Sequence, residues 1–266
     1  MYHWTHLELK TAFGIDKILN PHTAREIYDE CNEKLKQPEY SARGMMRRYH
    51  VEVVCTTDDP IDSLEYHIVK AGNSHIAHFG QLFYICAKIG RNFHRHCLIR
   101  TPSRQHLDFK AALTCLDMVA ALRKRHDFFA EQGCKLSDHG IEEFYAEDYT
   151  GAEVKAIFNK VYGGTGLTKE EILKFKSAML VVFGEMDWEK GWTQQFHYGA
   201  IRNNNSKMFK LLGPDTGFDS IVEFTTAKAM AKFLDRLNSN GKLTKTILYN
   251  LNLTGNRTIL SYPRHE

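Results

Sequence analysis

His197, Arg202, Asn203, Asn204 and Asn205 fall within nine residues, in a stretch that opens with Trp192-Thr193-Gln194-Gln195-Phe196. A titratable ring, a guanidinium and three amides sit just past a short apolar and aromatic run. Histidine and carboxylates move protons near neutral pH. A guanidinium grips a carboxylate with two parallel hydrogen bonds. A Gly213-Pro214-Asp215-Thr216-Gly217 turn follows. Two more clusters of the same kind lie upstream, Thr56-Thr57-Asp58-Asp59-Pro60 and Ser137-Asp138-His139-Gly140. Each has a plainer reading beside the chemical one. Asp58 and Asp59 can cap a helix that begins at Pro60. Asp138 and His139 can bond the Gly140 turn, and the asparagines can hold loop backbone. His3 and His6 can pack beside Trp4 at a helix start.

These clusters need elements to position them. Residues 22–37 and 41–49 read as charged helices, and Val51 to Cys55 as a short strand. Leu113 to Gln132 has helical periodicity and stops at Gly133. Cys134-Lys135-Leu136 reads as a second strand, ending in the Ser137–Gly140 cluster. Thr168-Lys169-Glu170-Glu171 is a capping box that opens a helix running to about Lys190. The spacing then predicts a strand over 192–198, a helix from Thr225 to Asn238 and a strand over 246–249. The order β-α-β-α-β-α-β favours a parallel sheet. Three of the four strands end in titratable residues, which is how barrel enzymes gather chemistry at one face.

Bulk properties restrict the rest. The chain has 266 residues, 43% of them apolar, and a net charge of +3. That charge argues for neither a nucleic-acid nor a membrane partner. No apolar run approaches the ~20 residues of a membrane span, and no signal peptide is expected near Met1. The six cysteines, at positions 31, 55, 86, 97, 115 and 134, form no CxxC pair. Scattered free thiols suit a cytoplasmic protein.

Longer strings carry a family resemblance. They are Tyr2-His3-Trp4-Thr5-His6-Leu7-Glu8-Leu9, Cys55 through Leu64, Lys135 through Gly140, His197 through Asn205, Leu211 through Ser220, and Ser261 through Glu266. On these the chain resembles the uronate (glucuronate) isomerases of the amidohydrolase superfamily, which are (β/α)8 barrels. The resemblance implies aldose–ketose isomerisation, D-glucuronate to D-fructuronate and D-galacturonate to D-tagaturonate, within carbohydrate catabolism. It implies proton-transfer roles for Asp58, Asp59, Asp138, His139 and His197. Substrate contacts would come from Arg202, Arg257, Asn203, Asn204, His3 and Trp4. The family uses Zn2+ or another divalent metal. The partner is a small hexuronate.

The chain departs from that family pattern in several places. The family's first-strand His-x-His metal pair is absent, and Gly255 stands where the last-strand metal-binding aspartate would be. No secure metal ligand set is expected, His197 being the one candidate. His94-Arg95-His96 precedes its apolar residues instead of following them, so it is not expected to restore the pair. The 40 residues from Ile68 to Leu107 hold no Asp or Glu, although the chain has 32. Residues 68–112 are therefore expected to be unlike the family, an out-of-frame or replaced region. The predicted fold is α/β, a single partial (β/α)8 TIM-type barrel over 1–266, incomplete at both ends. A surrogate strand at Leu82–Ala87 would be needed to cover its open edge, and otherwise self-association through that edge is expected. The alternative reading is a catalytically inactive remnant, with no role or acting as a sugar-acid or protein-binding module.

Overall fold

Three of the four predicted strands lie side by side in the computed structural model of the chain. It describes residues 2–56, 58–60, 62–70, 77–78, 114–214, 216–221 and 227–251. The chain divides into two units, Met1–Val54 and Cys55–Glu266.

The first unit is helical: α1 (Tyr2–Phe13), α2 (Ala24–Leu35), a 3-10 turn at Pro38–Tyr40, α3 (Ala42–Arg48) and the two-residue strand β1 (Val53–Val54). The last carbonyls of a helix need outside donors. Those of α1 find three: Tyr49 Oη donates to Thr11 O at 2.7 Å, Arg48 Nη1 to Ala12 O at 2.9 Å and Lys34 Nζ to Phe13 O at 2.5 Å. Leu9, Ile15 and Ile27 form its small core. Helix α1 was not read from the sequence beyond a start near Trp4.

In the second unit come α4 (Glu65–Lys70), β2 (Ala77–His78), α5 (Cys115–Glu131), β3 (Leu136–Gly140), α6 (Gly151–Tyr162) and α7 (Lys169–Lys190). Then follow β4 (Thr193–Tyr198), β5 (Ala200–Ile201), α8 (Ser206–Leu212), β6 (Ser220–Ile221), α9 (Ala227–Ser239) and β7 (Thr246–Asn250). Strands β3, β4 and β7 form a parallel sheet in the order β3-β4-β7. Strand β1, the fourth predicted strand, spans only Val53–Val54.

Reciprocal capping boxes start three of the helices. Thr114 with Asp117, Thr150 with Glu153 and Thr168 with Glu171 each satisfy two otherwise orphaned backbone donors. The second box opens α6, a helix that the sequence analysis passed over although Thr150-x-x-Glu153 signals it. Helix α7 ends at Gly191, left-handed at φ 65°, and the Trp192 N–H returns to Asp187 O at 2.9 Å. That 6→1 closure is the Schellman stop, and Gly suits it because it has no Cβ.

Helical and strand periodicities meet in one core. Val154, Ile157, Phe158 and Val161 line α6, and Met230, Phe233, Leu234 and Leu237 line α9. All of these but Val161 pack on Phe196 and Tyr198 of β4 with Phe175, Met179, Phe183 and Met186 of α7. A strand shows alternate residues to opposite faces. Ser137, His139, Gln194, Phe196 and Tyr198 are buried on the helix side. Asp138, Gln195, His197, Ile247 and Tyr249 share the other side by register.

Two predicted boundaries are corrected. The strand placed at Cys134–Leu136 runs over Leu136–Gly140, so Asp138 and His139 lie inside it and not in a following turn. The helix placed at Pro60 begins at Glu65. The loop before it is held by Arg125, whose Nε donates to Pro60 O at 2.6 Å and whose Nη2 donates to Asp62 O. Asp58 and Asp59 therefore do not cap a helix at Pro60.

Candidate active site

Strand alternation decides which titratable groups meet. Asp138 on β3 and His197 on β4 project from the open face, with Oδ1 and Nε2 3.2 Å apart. His197 lies flat on the Tyr249 ring of β7, centroids 4.4 Å apart and 6° from parallel. Tyr249 Oη donates to Gln195 Oε1 at 3.0 Å. Four residues from three strands thus form one patch. Burial pushes the Asp138 carboxyl above the usual carboxylate range, while His197 and the His139 N–H pull it back. A carboxylate held above its ordinary range beside an imidazole is suited to taking up and releasing a proton.

His139 lies on the other side of the same strand. Its ring is 1% exposed and stacks on Phe196 and Phe183. Burial drives its pKa down to about 4. Its Nδ1 has no hydrogen-bond partner among the described residues. The structure places it in the core, away from the Asp138–His197 face.

Arg202 and the asparagines form a second group. Arg202 Nη1 contacts Asp219 Oδ2 at 2.7 Å, and the Asn203 N–H donates to Asp219 Oδ1 at 2.9 Å. These two contacts hold the Asp219 carboxyl below its ordinary range, the Asn203 N–H first. Asn203 is left-handed at φ 58°, a region Asn tolerates better than most residues. Asn204 Nδ2 donates to Ile201 O at 2.7 Å, and Asn205 Oδ1 accepts from Met208 N as the cap of α8. The turn reading applies to Asn204 and Asn205. Arg202 is 50% exposed and directed by Asp219.

The remaining predicted residues lie elsewhere. Asp58 accepts from Thr56 Oγ1 at 2.7 Å and lies 3.4 Å from His67 Nε2. The Asp59 N–H donates to Asp62 Oδ2 at 2.7 Å. His3 and Trp4 are exposed on α1 in the first unit. In that unit His6 is structural, accepting from Leu19 N at 2.8 Å and contacting Tyr2 O at 2.9 Å. Arg257, Gly255, His94, His96, Asp215 and the Leu82–Ala87 segment lie outside the described residues, as does nearly all of 68–112.

Gln195, Tyr249, Asp219 and His67 were missed by the sequence analysis. The signal for the first two was available: Gln195 and His197 alternate with buried Gln194 and Phe196, and Ile247 and Tyr249 alternate in phase with them. Asp219 and His67 had no such signal, since each acts through a partner in another segment.

Among the described residues no three His, Cys, Asp or Glu side chains gather as metal ligands. Asp138 and His197 supply two donors where a catalytic zinc takes three, so the described residues do not make up a zinc site. Cys31, Cys55 and Cys115 are free thiols, and Cys134 Sγ donates to Leu136 O at 3.2 Å. Among the described residues no helix is long and apolar enough to cross a membrane.

A family model described as glucuronate isomerase matches residues 1–265. A uronate isomerase of Bacteroides thetaiotaomicron is 73% identical over 267 aligned residues, covering 97% of this chain and 55% of its own length. One from Cellvibrio japonicus is 47% identical, with the same two coverages. Among solved structures, a uronate isomerase from Thermotoga maritima superposes with a TM-score of 0.85 at 33% identity, over 97% of this chain and 56% of that one. A glucuronate isomerase from Caulobacter crescentus gives 0.80 at 25% identity, over 95% and 52%. The chain spans about half the length of the curated relatives it matches. With a match over residues 1–265 and relatives this similar, the chain belongs to the glucuronate isomerase family.

Proposed function

We propose that this chain serves aldose–ketose isomerisation of a hexuronate, D-glucuronate to D-fructuronate or D-galacturonate to D-tagaturonate. The observation that carries the reading is the Asp138–His197 contact of 3.2 Å on the open face of the sheet, in a chain 73% identical to a protein named uronate isomerase. That identity supports a catalytic reading over an inactive remnant. The isomerisation is redox-neutral within the sugar. The C2 proton leaves to a base and a proton is delivered to C1, while the O2–H proton passes to O1 through the enediol. Asp138 suits the carbon-bound proton because burial raises its carboxyl, and His197 beside it suits the oxygen-bound one. Arg202, aimed by Asp219, suits the uronate carboxylate as a planar fork. Asn203 and Asn204 order the loop around that guanidinium. Asp58, Asp59 and Arg257 keep the roles that the family resemblance implies, whereas His139, sealed in the core against Phe183 and Phe196, is given no proton to transfer.

The β3-β4-β7 sheet, with its helices on one face, suits a sector of a (β/α)8 barrel whose inner face carries Asp138 and His197. The reading includes a divalent metal, with His197 as its one candidate ligand in this chain, a cytoplasmic setting, and self-association through open barrel edges. Within the reading, residues 68–112 are a replaced or out-of-frame region. Turnover of D-glucuronate by the purified chain, with and without added Zn2+, tests the reading. Ketose formation under either condition is expected. No ketose in both, with the chain folded by circular dichroism, would overturn it.

A further inference from the structure

The core side of the sheet carries a group that the proposed chemistry does not use. Asp187, on α7, is 1% exposed. Its Oδ2 accepts from Ser137 Oγ, and its Oδ1 lies 3.0 Å from His126 Nε2. Ser137 and His126 are also buried, at 1% and 3% exposed. His126 in turn packs on Trp192, ring centroids 3.9 Å apart. A carboxylate withdrawn from water this fully is expensive unless hydrogen-bonded. A core built for stability alone has no need of one, because an apolar residue of similar size does at least as well.

What the carboxylate joins gives its use. Ser137 immediately precedes Asp138 and points to the opposite face of β3. The main-chain carbonyl of Asp187 accepts from Trp192 N, at the entry of the strand that carries His197. One residue therefore fixes the strand bearing Asp138 by its side chain and the strand bearing His197 by its backbone. His126, from the helix leading into β3, completes the clamp against Trp192.

We propose that Asp187, with Ser137 and His126, is a positioning cluster that holds Asp138 against His197 from behind the sheet. It touches no substrate and acts through the strands. The proposal rests on the reading of Asp138 and His197 as a working pair, so the test separates the two.

The readout is the pH titration of the His197 imidazole by NMR, in the intact chain, for wild type, Asp138→Asn, Ser137→Ala and Asp187→Asn. Asp138→Asn is expected to shift the His197 midpoint, reporting the pair directly. Ser137→Ala keeps the Asp187 side chain and loses only its bond to Ser137, and is expected to shift the midpoint in the same direction. Leu237→Ala, a core deletion elsewhere, is expected to lower thermal stability without moving it. Should Asp187→Asn fail to fold, Ser137→Ala decides alone. A midpoint moved by Asp138→Asn but not by Ser137→Ala sinks the positioning role and leaves the pair standing. A midpoint unmoved by Asp138→Asn removes the pair and the proposal together.

Discussion

Asp138 and His139 are adjacent in sequence and opposite in surroundings. The first faces outward beside His197 at 3.2 Å, with its carboxyl lifted by burial. The second is sealed between Phe196 and Phe183, with its pKa near 4. One strand thus gives a titrating group to each face of the sheet, and the two faces treat it differently. The core face surrounds His139 with apolar rings, and its polar side chains Ser137 and Gln194 bond other partners, so a charge there is penalised. The open face has polar partners from two neighbouring strands, so a charge there can be shared. A residue type is not a role, and strand phase decides between the two.

The largest expected effect comes from damaging the core face. Phe196→Ala removes a side chain with no exposure that touches His139, Phe144 and Phe233. A loss of about 3–5 kcal/mol is expected in urea unfolding, from lost transfer energy and the cavity left behind. A loss below about 1 kcal/mol would mean that the two faces are packed alike.

Acid titration sharpens the contrast next. His139 has a native pKa of about 4 against 6.5 for the free side chain. Between those values the unfolded chain binds more protons than the native one, so stability falls as pH drops. The decline begins near pH 6.5 and levels off below about 4. Its full size is on the order of 3 kcal/mol. His139→Phe should flatten that window in pH-dependent unfolding. An unchanged slope would place the acid sensitivity elsewhere.

A smaller effect is expected at a helix end away from both faces. Thr150→Ala removes one half of the α6 capping box and should lower stability by about 1 kcal/mol. Tyr249→Phe, on the open face, loses only the bond to Gln195. It should cost about 0.5–1.5 kcal/mol at most. If Tyr249→Phe proved as damaging as Phe196→Ala, the open face would have to be a packed one.

Much of this fold was legible in the chain. The Thr168 box marked the start of α7 correctly because caps are local chemistry. The 192–198 strand was legible from its short apolar and aromatic run. Asp138 and His139 were misplaced because Ser-Asp-His-Gly has the composition of a turn. Asp187 reverses that preference by accepting from Ser137 across the core, and no local pattern reveals an acid buried in a long helix. Arg202 was singled out by its type, whereas its partner Asp219 lies 17 residues on and becomes visible only with the β5–β6 pairing. The Asp58-Asp59-Pro60 cluster read as a cap because Asp before Pro is a common helix start. Arg125, distant in sequence, holds that loop open until Glu65.

The most direct test of the account is the rate at which wild-type and Asp138→Asn chains carry deuterium from D2O into the C1 position of the ketose formed from D-glucuronate. The account predicts a fall of about 10²–10⁴-fold for Asp138→Asn, the range for loss of a positioned acid–base group, with unfolding stability nearly unchanged. Equal rates in the two chains would contradict it.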